Sequence, residues 1–467
     1  MERSPVEELR SRAQQLGLRV NSREFATAMD GADPLRRFRE RFCIPQVKDV
    51  VDAESESSRD CVYLCGHSLG LKPKSTDEYV RKVLNNWART GVESHFRGNL
   101  PAASCEAAPK KMTAHLVGAH EDEVVIMNGL TVNLHLLMLT YYKPRGKRCK
   151  LVIEWDAFPS DVYAVQSQVE HHGLDVKSNL IYLRAREGEQ LLREEDILEL
   201  IRKEGETIAM LLLPGVQYYT GQVFDVKKIT DAARSKGCII LWDMAHAVGN
   251  IKLRLSEWNV DLAAWCSYKY LNSGPGCLGA AFISRRFQES QGLLPALRGW
   301  WGVKPQTKFE MSREFDPCTS ADVFKLSNCP PLLVAPMMAS LEIFAEAGEE
   351  ARLQKQFLLT GYLEHLLEDE LGASHDLADD AAPFHIITPR DPTQRGSQLS
   401  IHIRHRPDDV HRLFMARGII CDFRRPSVIR LAPIPLYNSY TDIFNCVDIL
   451  KSIVKELASI PGQLNGH

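Results

Sequence analysis

Between residues 123 and 284 the chain alternates short apolar runs with stretches of helical period. That alternation limits the folds open to it more than any other feature. The runs cover 123–127, 151–154, 180–183, 209–213, 238–242, 262–266 and 280–284, and helical patterns lie at 131–141, 160–171, 194–204 and 225–236. A strand that is apolar along its whole length has both faces buried, and helices returning between such strands supply the cover. The expected fold class is therefore α/β, with a mostly parallel seven-stranded sheet in the larger domain and ligands gathered at the carboxyl ends of its strands.

Two of these runs end on residues with chemistry to offer. The run 238–242 stops at Asp243, with His246 one helical turn later, and the run 262–266 leads into Ser267-Tyr268-Lys269. An amine in apolar surroundings has its ammonium form disfavoured, which suits a nucleophile that later carries a proton. An acid at one strand tip and a lysine at a later one suggest pyridoxal phosphate. The acid would keep the pyridine nitrogen protonated and the lysine would hold the aldehyde carbon. Alone, the lysine reads as a snorkelling surface residue and the aspartate as a helix cap; the pairing is what favours a cofactor.

A phosphate calls for a helix N-terminus, and Met127-Asn128-Gly129-Leu130-Thr131 offers one, with the amides of Leu130 and Thr131 free and the Thr131 hydroxyl beside them. The same pattern also opens capped core helices. Phe158-Pro159-Ser160-Asp161 follows the run 151–154. Phe158 could stack on a flat ring, and Asp161 could meet a ring hydroxyl or a substrate amine, although Pro159-Ser160-Asp161 is by itself an ordinary helix start. Arg430, between apolar neighbours in Val428-Ile429-Arg430-Leu431-Ala432, either pairs with an acid or clamps a carboxylate through its planar fork.

At 467 residues the chain exceeds one small core. The expected division is an N-terminal helical arm and loop over 1–60, a large domain over 61–332, and a smaller C-terminal α/β domain over 333–467 packing with the arm. In the arm, 6–17 reads as an amphipathic helix, Asp33-Pro34 as the start of a helix over 35–42, and 52–60 as an acidic surface loop. A strand at 61–65 and a helix at 76–87 precede an irregular stretch over 88–110, a length of loop that is often functional.

Charged residues make up 25% of the chain and the formal net charge is −3. With no basic field, nucleic acid and anionic membrane surfaces are poor partners. No apolar run reaches a bilayer-spanning length, and 332–345, interrupted by Pro336 and Glu342, reads as a core helix. The first residues lack the apolar core of a secretory signal, and the twelve cysteines form no C-x-x-C pair. Free thiols in a reducing, cytoplasmic setting and no metal site are expected.

Two motifs point elsewhere. Gly66-His67-Ser68-Leu69-Gly70 matches the nucleophile elbow of serine hydrolases, but Pro73 stands where the supporting helix should run and no partner aspartate and histidine stand out. Gly274-Pro275-Gly276-Cys277-Leu278-Gly279 matches a dinucleotide fingerprint but leads into a strand instead of a helix.

Several longer stretches together resemble the kynureninases, animal and fungal ones above all. They are Asn133-Leu134-His135-Leu136-Leu137-Met138, Phe158-Pro159-Ser160-Asp161, Asp243-x-x-His246-Ala247-Val248-Gly249-Asn250, Trp265-Cys266-Ser267-Tyr268-Lys269-Tyr270-Leu271-Asn272 and Leu431-Ala432-Pro433-Ile434-Pro435-Leu436-Tyr437-Asn438-Ser439. The resemblance runs from about residue 33 to the C-terminus. It implies a fold-type I pyridoxal-phosphate enzyme, similar to aminotransferases, forming a homodimer with active sites at the subunit boundary. It also implies hydrolytic cleavage of the Cβ–Cγ bond of L-kynurenine or 3-hydroxykynurenine, in tryptophan degradation and NAD precursor synthesis.

By that resemblance Lys269, Tyr268 and Asp243 are catalytic, with Lys269 holding the cofactor. Leu130, Thr131, Tyr268 and Trp300 would grip the phosphate, Trp300 and Asn328 reaching over from the second subunit. Phe158, Pro159, Ser160, Asp161 and His246 would complete the cofactor site. Arg430 would bind the substrate's α-carboxylate, and Ser68, His95 and Asn328 the aryl group, the last two being the types expected for 3-hydroxylated substrate.

Three positions depart from the family pattern: Pro214 where relatives have serine, His67 where asparagine is usual, and Arg97-Gly98-Asn99-Leu100-Pro101-Ala102, which lacks the family's Pro-Trp. Three other readings stand beside this one. A cysteine desulfurase would use Cys318 on a mobile loop, an aminotransferase would share the fold, and a non-catalytic relative would keep it as a scaffold.

Overall fold

The computed structural model of the chain describes residues 3–50, 58–290 and 294–459. Its principal sheet has seven strands in the spatial order Val124–Met127, Gly279–Ile283, Leu262–Trp265, Ile239–Asp243, Ile208–Pro214, Lys150–Glu154 and Leu180–Leu183. The last five run parallel, while Gly279–Ile283 is antiparallel to both its neighbours. The mostly parallel sheet read from the alternation is thus what forms. Its apolar runs are buried for the expected reason: every residue from Ile208 to Leu213 and from Leu262 to Trp265 is shielded from solvent. Leu134, Leu137 and Met138 of the helix Leu130–Tyr141 join that core. Trp242 satisfies its indole by donating to the Thr230 hydroxyl at 3.0 Å.

Strand order places the ligand end. The crossover from Lys150–Glu154 goes outward to Leu180–Leu183, and the next strand, Ile208–Pro214, returns to the other flank of Lys150–Glu154. Connections that diverge in this way open a crevice at the carboxyl tips, here Glu154, Pro214 and, on the adjacent strand, Asp243.

The chain divides into two compact units: Pro73–Tyr218 with Val223–Glu346, which holds this sheet, and Met1–Lys72 with Tyr219–Gln222 and Ala347–His467. The second unit has a four-stranded antiparallel sheet, ordered Asp422–Arg424, Val428–Leu431, Leu399–Ile403 and Phe384–Ile386. It also carries the helices Glu349–Leu371, Pro407–Ala416 and Tyr440–Ser459. The helices Pro5–Leu16 and Arg23–Ala32 place Leu9, Ala13 and Phe25 in the same core as Leu359, Tyr362 and Leu363. The chain passes to the larger unit after Lys72 and leaves it after Glu346, in place of the breaks read at 60 and 332. The reason is pairing: Val62–Tyr63 runs parallel to Ile419–Ile420 in the smaller unit.

Three local expectations change. Asp33 is the C-cap of the helix Arg23–Ala32, whose periodicity the cap signal at Asp33-Pro34 obscured, and the next element is a 3-10 turn, Arg36–Arg41, not an α-helix. The stretch read as irregular over 88–110 contains the 3-10 turn Gly91–His95 and the first turn of a helix, Ala107–Leu116. Of the acidic loop read at 52–60, residues 52–57 lie outside the described residues. Among the described residues no single helix is long and apolar enough to cross a membrane, and all twelve cysteines are free thiols.

Candidate active site

The strand Leu262–Trp265 ends at a loop pinned by its own small polar residues. The buried Ser267 hydroxyl donates to the Leu278 carbonyl at 2.5 Å, and the Asn272 amide donates to the Lys269 carbonyl at 3.0 Å while Asn272 takes a left-handed turn. Lys269 therefore stands on a fixed loop. It is half-buried, less enclosed than its apolar sequence context suggested. Its Nζ lies 5.9 Å from the centres of the Phe158 and Tyr268 rings.

The neighbouring strand Ile239–Asp243 brings Asp243 to the same level, and the Ala245 amide donates to its Oδ1 at 2.8 Å. Both residues line one cavity of about 350 Å³, together with Leu130, Thr131, Phe158, Ser160, Asp161, His246 and Tyr268. Of the twelve residues expected to hold cofactor or do catalysis, these nine are brought together. Pro159 opens the helix Pro159–His171 at its first position and is not in the lining.

The cavity is rich in carboxyls. Asp161 is hydrogen-bonded to Asp243. Burial first, and then that neighbouring carboxylate, push Asp161 well above the ordinary aspartate range, with Lys269 opposing. Glu154, which sequence reasoning missed, ends its apolar strand in the same lining. It is 4% exposed and accepts from Gln217 Nε2 at 3.2 Å, and burial pushes its carboxyl up to about 8. A signal for it exists in the sequence: Glu154 ends a buried run as Asp243 does. Tyr218 was also missed; its ring meets Phe158 edge-on at 5.3 Å between centres. Burial pushes the Tyr268 phenol up, so it stays a neutral donor at ordinary pH.

These features fit pyridoxal phosphate. Three carboxyls stand in the lining with one amine, acceptors within reach of a ring nitrogen, a ring hydroxyl and a substrate amine. The helix Leu130–Tyr141 opens with no side-chain cap on Gly129, and a Cβ there would meet nothing within 4 Å. Its first amides and the Thr131 hydroxyl, 2.7 Å from the Ser160 hydroxyl, form an anion seat with room for a phosphate. Pro214 also lines the cavity, opposite Asp243 in strand register, and brings no hydrogen-bond donor to it.

The other expected residues lie elsewhere. Trp300, 46% exposed, donates its indole N–H to the Lys308 carbonyl at 2.9 Å. His95 is exposed, and the buried Asn328 Oδ1 has no hydrogen-bond partner among the described residues. None of the three lines the Lys269 cavity. Ser68 and Arg430 belong to the smaller unit, where Arg430 is 1% exposed and pairs with Asp422. Cys318, the thiol a desulfurase would need, donates to the Val303 carbonyl at 3.3 Å and is absent from the lining. The turn at Gly66-His67-Ser68 runs into no supporting helix, the next one starting at Thr76. The glycines 274 to 279 lead into the strand Gly279–Ile283, so neither competing motif has its structural context.

Comparison with known proteins gives the family and the fold. The aminotransferase class-V family model matches residues 62–299, and the kynureninase C-terminal domain model matches residues 353–450. The chain is 47% identical to the kynureninase of Koribacter versatilis, over 91% of this chain and 96% of that protein. It is 43% identical to that of Nematostella vectensis, over 97% and 98%, and 42% identical to that of Rattus norvegicus, over 96% and 97%. Among solved structures, cysteine desulfurases from Escherichia coli and Thermococcus onnurineus superpose with TM-scores of 0.69 and 0.67 at 17% identity. The first alignment covers 90% of this chain and 98% of the other, the second 85% and 95%. At that identity the likeness concerns the fold.

Proposed function

The chain belongs to the kynureninase family, and from that premise and the Lys269 cavity we infer that it is a pyridoxal-phosphate-dependent hydrolase of the tryptophan-degrading kynurenine pathway. It cleaves the Cβ–Cγ bond of L-kynurenine or 3-hydroxykynurenine, giving alanine and anthranilate or 3-hydroxyanthranilate. The observation that carries this reading is the convergence of Lys269, Asp243 and Asp161 with an uncapped helix N-terminus on one cavity.

When bound, pyridoxal phosphate supplies a conjugated cationic ring that takes up the electron pair released from the substrate's carbon atoms. The residues of the chain do the rest. Lys269 would anchor the cofactor through its amine, and the same amine stands where it would take the proton from the substrate's α-carbon and return it. Asp243 would hold positive charge at the ring nitrogen, Phe158 would cover a ring face and Asp161 would meet the ring oxygen, with His246 in the same lining. The amides of Leu130 and Thr131 and the Ser160 hydroxyl would seat the phosphate. Tyr268, a neutral phenol, serves as the proton donor and acceptor when water adds to the γ-carbonyl. Arg430, oriented by Asp422, would receive the α-carboxylate through its charge.

Trp300, Asn328 and His95 lie outside the Lys269 cavity, which supports a homodimer in which they complete the partner's site, with Ser68 toward the aryl group. A cytoplasmic setting is consistent with twelve free thiols. The purified protein, mixed with kynurenine and separately with 3-hydroxykynurenine, should bind cofactor with visible absorbance and release alanine in step with the aryl acid. Absence of both absorbance and alanine would overturn the reading.

A further inference from the structure

The glycine run 274–279, which opens no dinucleotide site, has another use in the fold. Gly274 and Gly276 take left-handed φ values of 87° and 68°, and the chain then starts the strand Gly279–Ile283. That strand lies between Val124–Met127 and Leu262–Trp265 and is antiparallel to both. Its first residues therefore stand where both neighbours end: Gly279 is opposite Met127, and Ala280 is opposite Trp265. One neighbour leads into the turn at Gly129-Leu130-Thr131, the other into Lys269.

A single peptide unit ties these two tips together. The Leu278 carbonyl accepts the Ser267 hydroxyl at 2.5 Å, and the Gly279 amide donates to the Asn128 carbonyl at 2.5 Å. The C=O of residue 278 and the N–H of residue 279 belong to one planar group, so the two bonds leave a rigid plate on opposite sides. Side chains brace the turn beyond it. Asn128, left-handed with φ 45°, donates its side-chain amide to Asn133 Oδ1 at 3.1 Å, and the Asn133 amide donates to the Met127 carbonyl at 2.9 Å. Asn133 and Ser267 are at most 1% exposed, so water does not compete for their bonds. The plate admits no side chain either: a Cβ on Gly279 would meet the Trp265 carbonyl oxygen at 2.5 Å.

None of Asn128, Asn133, Ser267 and Gly279 lines the Lys269 cavity, so what they contribute comes through the residues they hold. A ligand gripped at two ends gains from the second grip when the spacing of the two seats is fixed, because that contact then forms at high effective concentration. Pyridoxal phosphate is such a ligand, taken by an amine at its aldehyde carbon and by a helix N-terminus at its phosphate. Resting on that cofactor reading, we propose that the Leu278–Gly279 peptide sets the spacing between Lys269 and the anion seat at Leu130 and Thr131, with Ser267, Gly279, Asn128 and Asn133 as positioning residues.

The test titrates the full chain, stripped of cofactor, with three probes. They are pyridoxal phosphate, pyridoxal, which offers the aldehyde alone, and inorganic phosphate, which fills the anion seat alone. Visible absorbance reads the first two and calorimetry the third. Gly279→Ala should weaken pyridoxal phosphate by about tenfold or more, while pyridoxal and phosphate each stay within about twofold of the unaltered protein. A general loss of structure would weaken all three. Should Gly279→Ala not fold, Ser267→Ala and Asn128→Gly, which each delete one bond of the bracing, should show the same selective loss. The spacing role is overturned if the variants keep full affinity for pyridoxal phosphate, or if either half-ligand weakens in step with it. If the unaltered protein develops no visible band with pyridoxal phosphate, the cofactor reading fails and this proposal with it.

Discussion

Arg430 and Asp422 stand directly opposite each other on paired antiparallel strands and join by two contacts of 2.8 Å, from Nε to Oδ1 and from Nη2 to Oδ2. The guanidinium proposed to receive substrate is thereby held in one orientation. Burial would raise the Asp422 carboxyl, but Arg430's bonds and charge outweigh it and lower it to about 2. Asp422→Ala should raise substrate KM by on the order of tenfold with less effect on kcat, because Arg430 loses its alignment. Stability should fall by about 3–5 kcal/mol, since a buried charge loses its partner. Steady-state kinetics and urea melts would check both, and an unchanged KM would remove Asp422 from the site. The pair's contribution should be complete above the ordinary carboxyl pKa of 3.8 and be lost as pH falls toward about 2.

Lys269→Ala should abolish both turnover and the visible absorbance of the tethered cofactor, because no other amine lines that cavity. Asp243→Asn should retain absorbance while losing most of the rate, by about a hundredfold or more if charge at the ring nitrogen is its main role. A spectrum and a rate for each variant separate the roles, and a near-normal rate in the second would count against the one given to Asp243.

Glu154, with a carboxyl pushed up to about 8 by burial, gives cofactor-free protein a pH dependence opposite to that of Asp422. The folded state holds a proton that the unfolded chain releases near 4.5, so this contribution is full below 4.5 and disappears as pH rises toward 8. Urea denaturation of cofactor-free protein across that window should show stability falling with pH. Glu154→Gln, which cannot ionise, should flatten the slope; an equal slope in both proteins would assign it to other groups.

Gly66 has no room for a side chain. A Cβ there would overlap the Tyr437 hydroxyl and approach Ile434 Cγ1 to 2.6 Å. Gly66→Ala should cost about 1–3 kcal/mol through overpacking and displace the turn that carries Ser68. A thermal melt with a KM measurement would detect it, and an unaltered melt would mean that Tyr437 gives way freely.

The sequence alone determined the sheet and the residue types at its tips. Seven apolar runs could be buried only as a covered sheet, and an acid and a lysine ending two of them marked where chemistry would gather. Tertiary structure decided what depends on partners distant in the chain. Val62–Tyr63 looked like the first strand of the large domain but pairs with Ile419–Ile420, a choice no local pattern records. Asp33-Pro34 carried a helix-start signal, yet Asp33 ends one helix and pairs with the buried Lys355 at 2.7 Å. Arg430 read equally as an acid's partner or a carboxylate clamp until strand register set Asp422 against it. Glu154 shows the same division: its type and position are legible in the chain, but its raised proton affinity comes from burial and from the nearby Asp156 and Asp243, with the Gln217 hydrogen bond opposing, all brought together only when the chain folds. Periodicity fixes which face a residue takes; the charge it meets there is settled by packing across the fold.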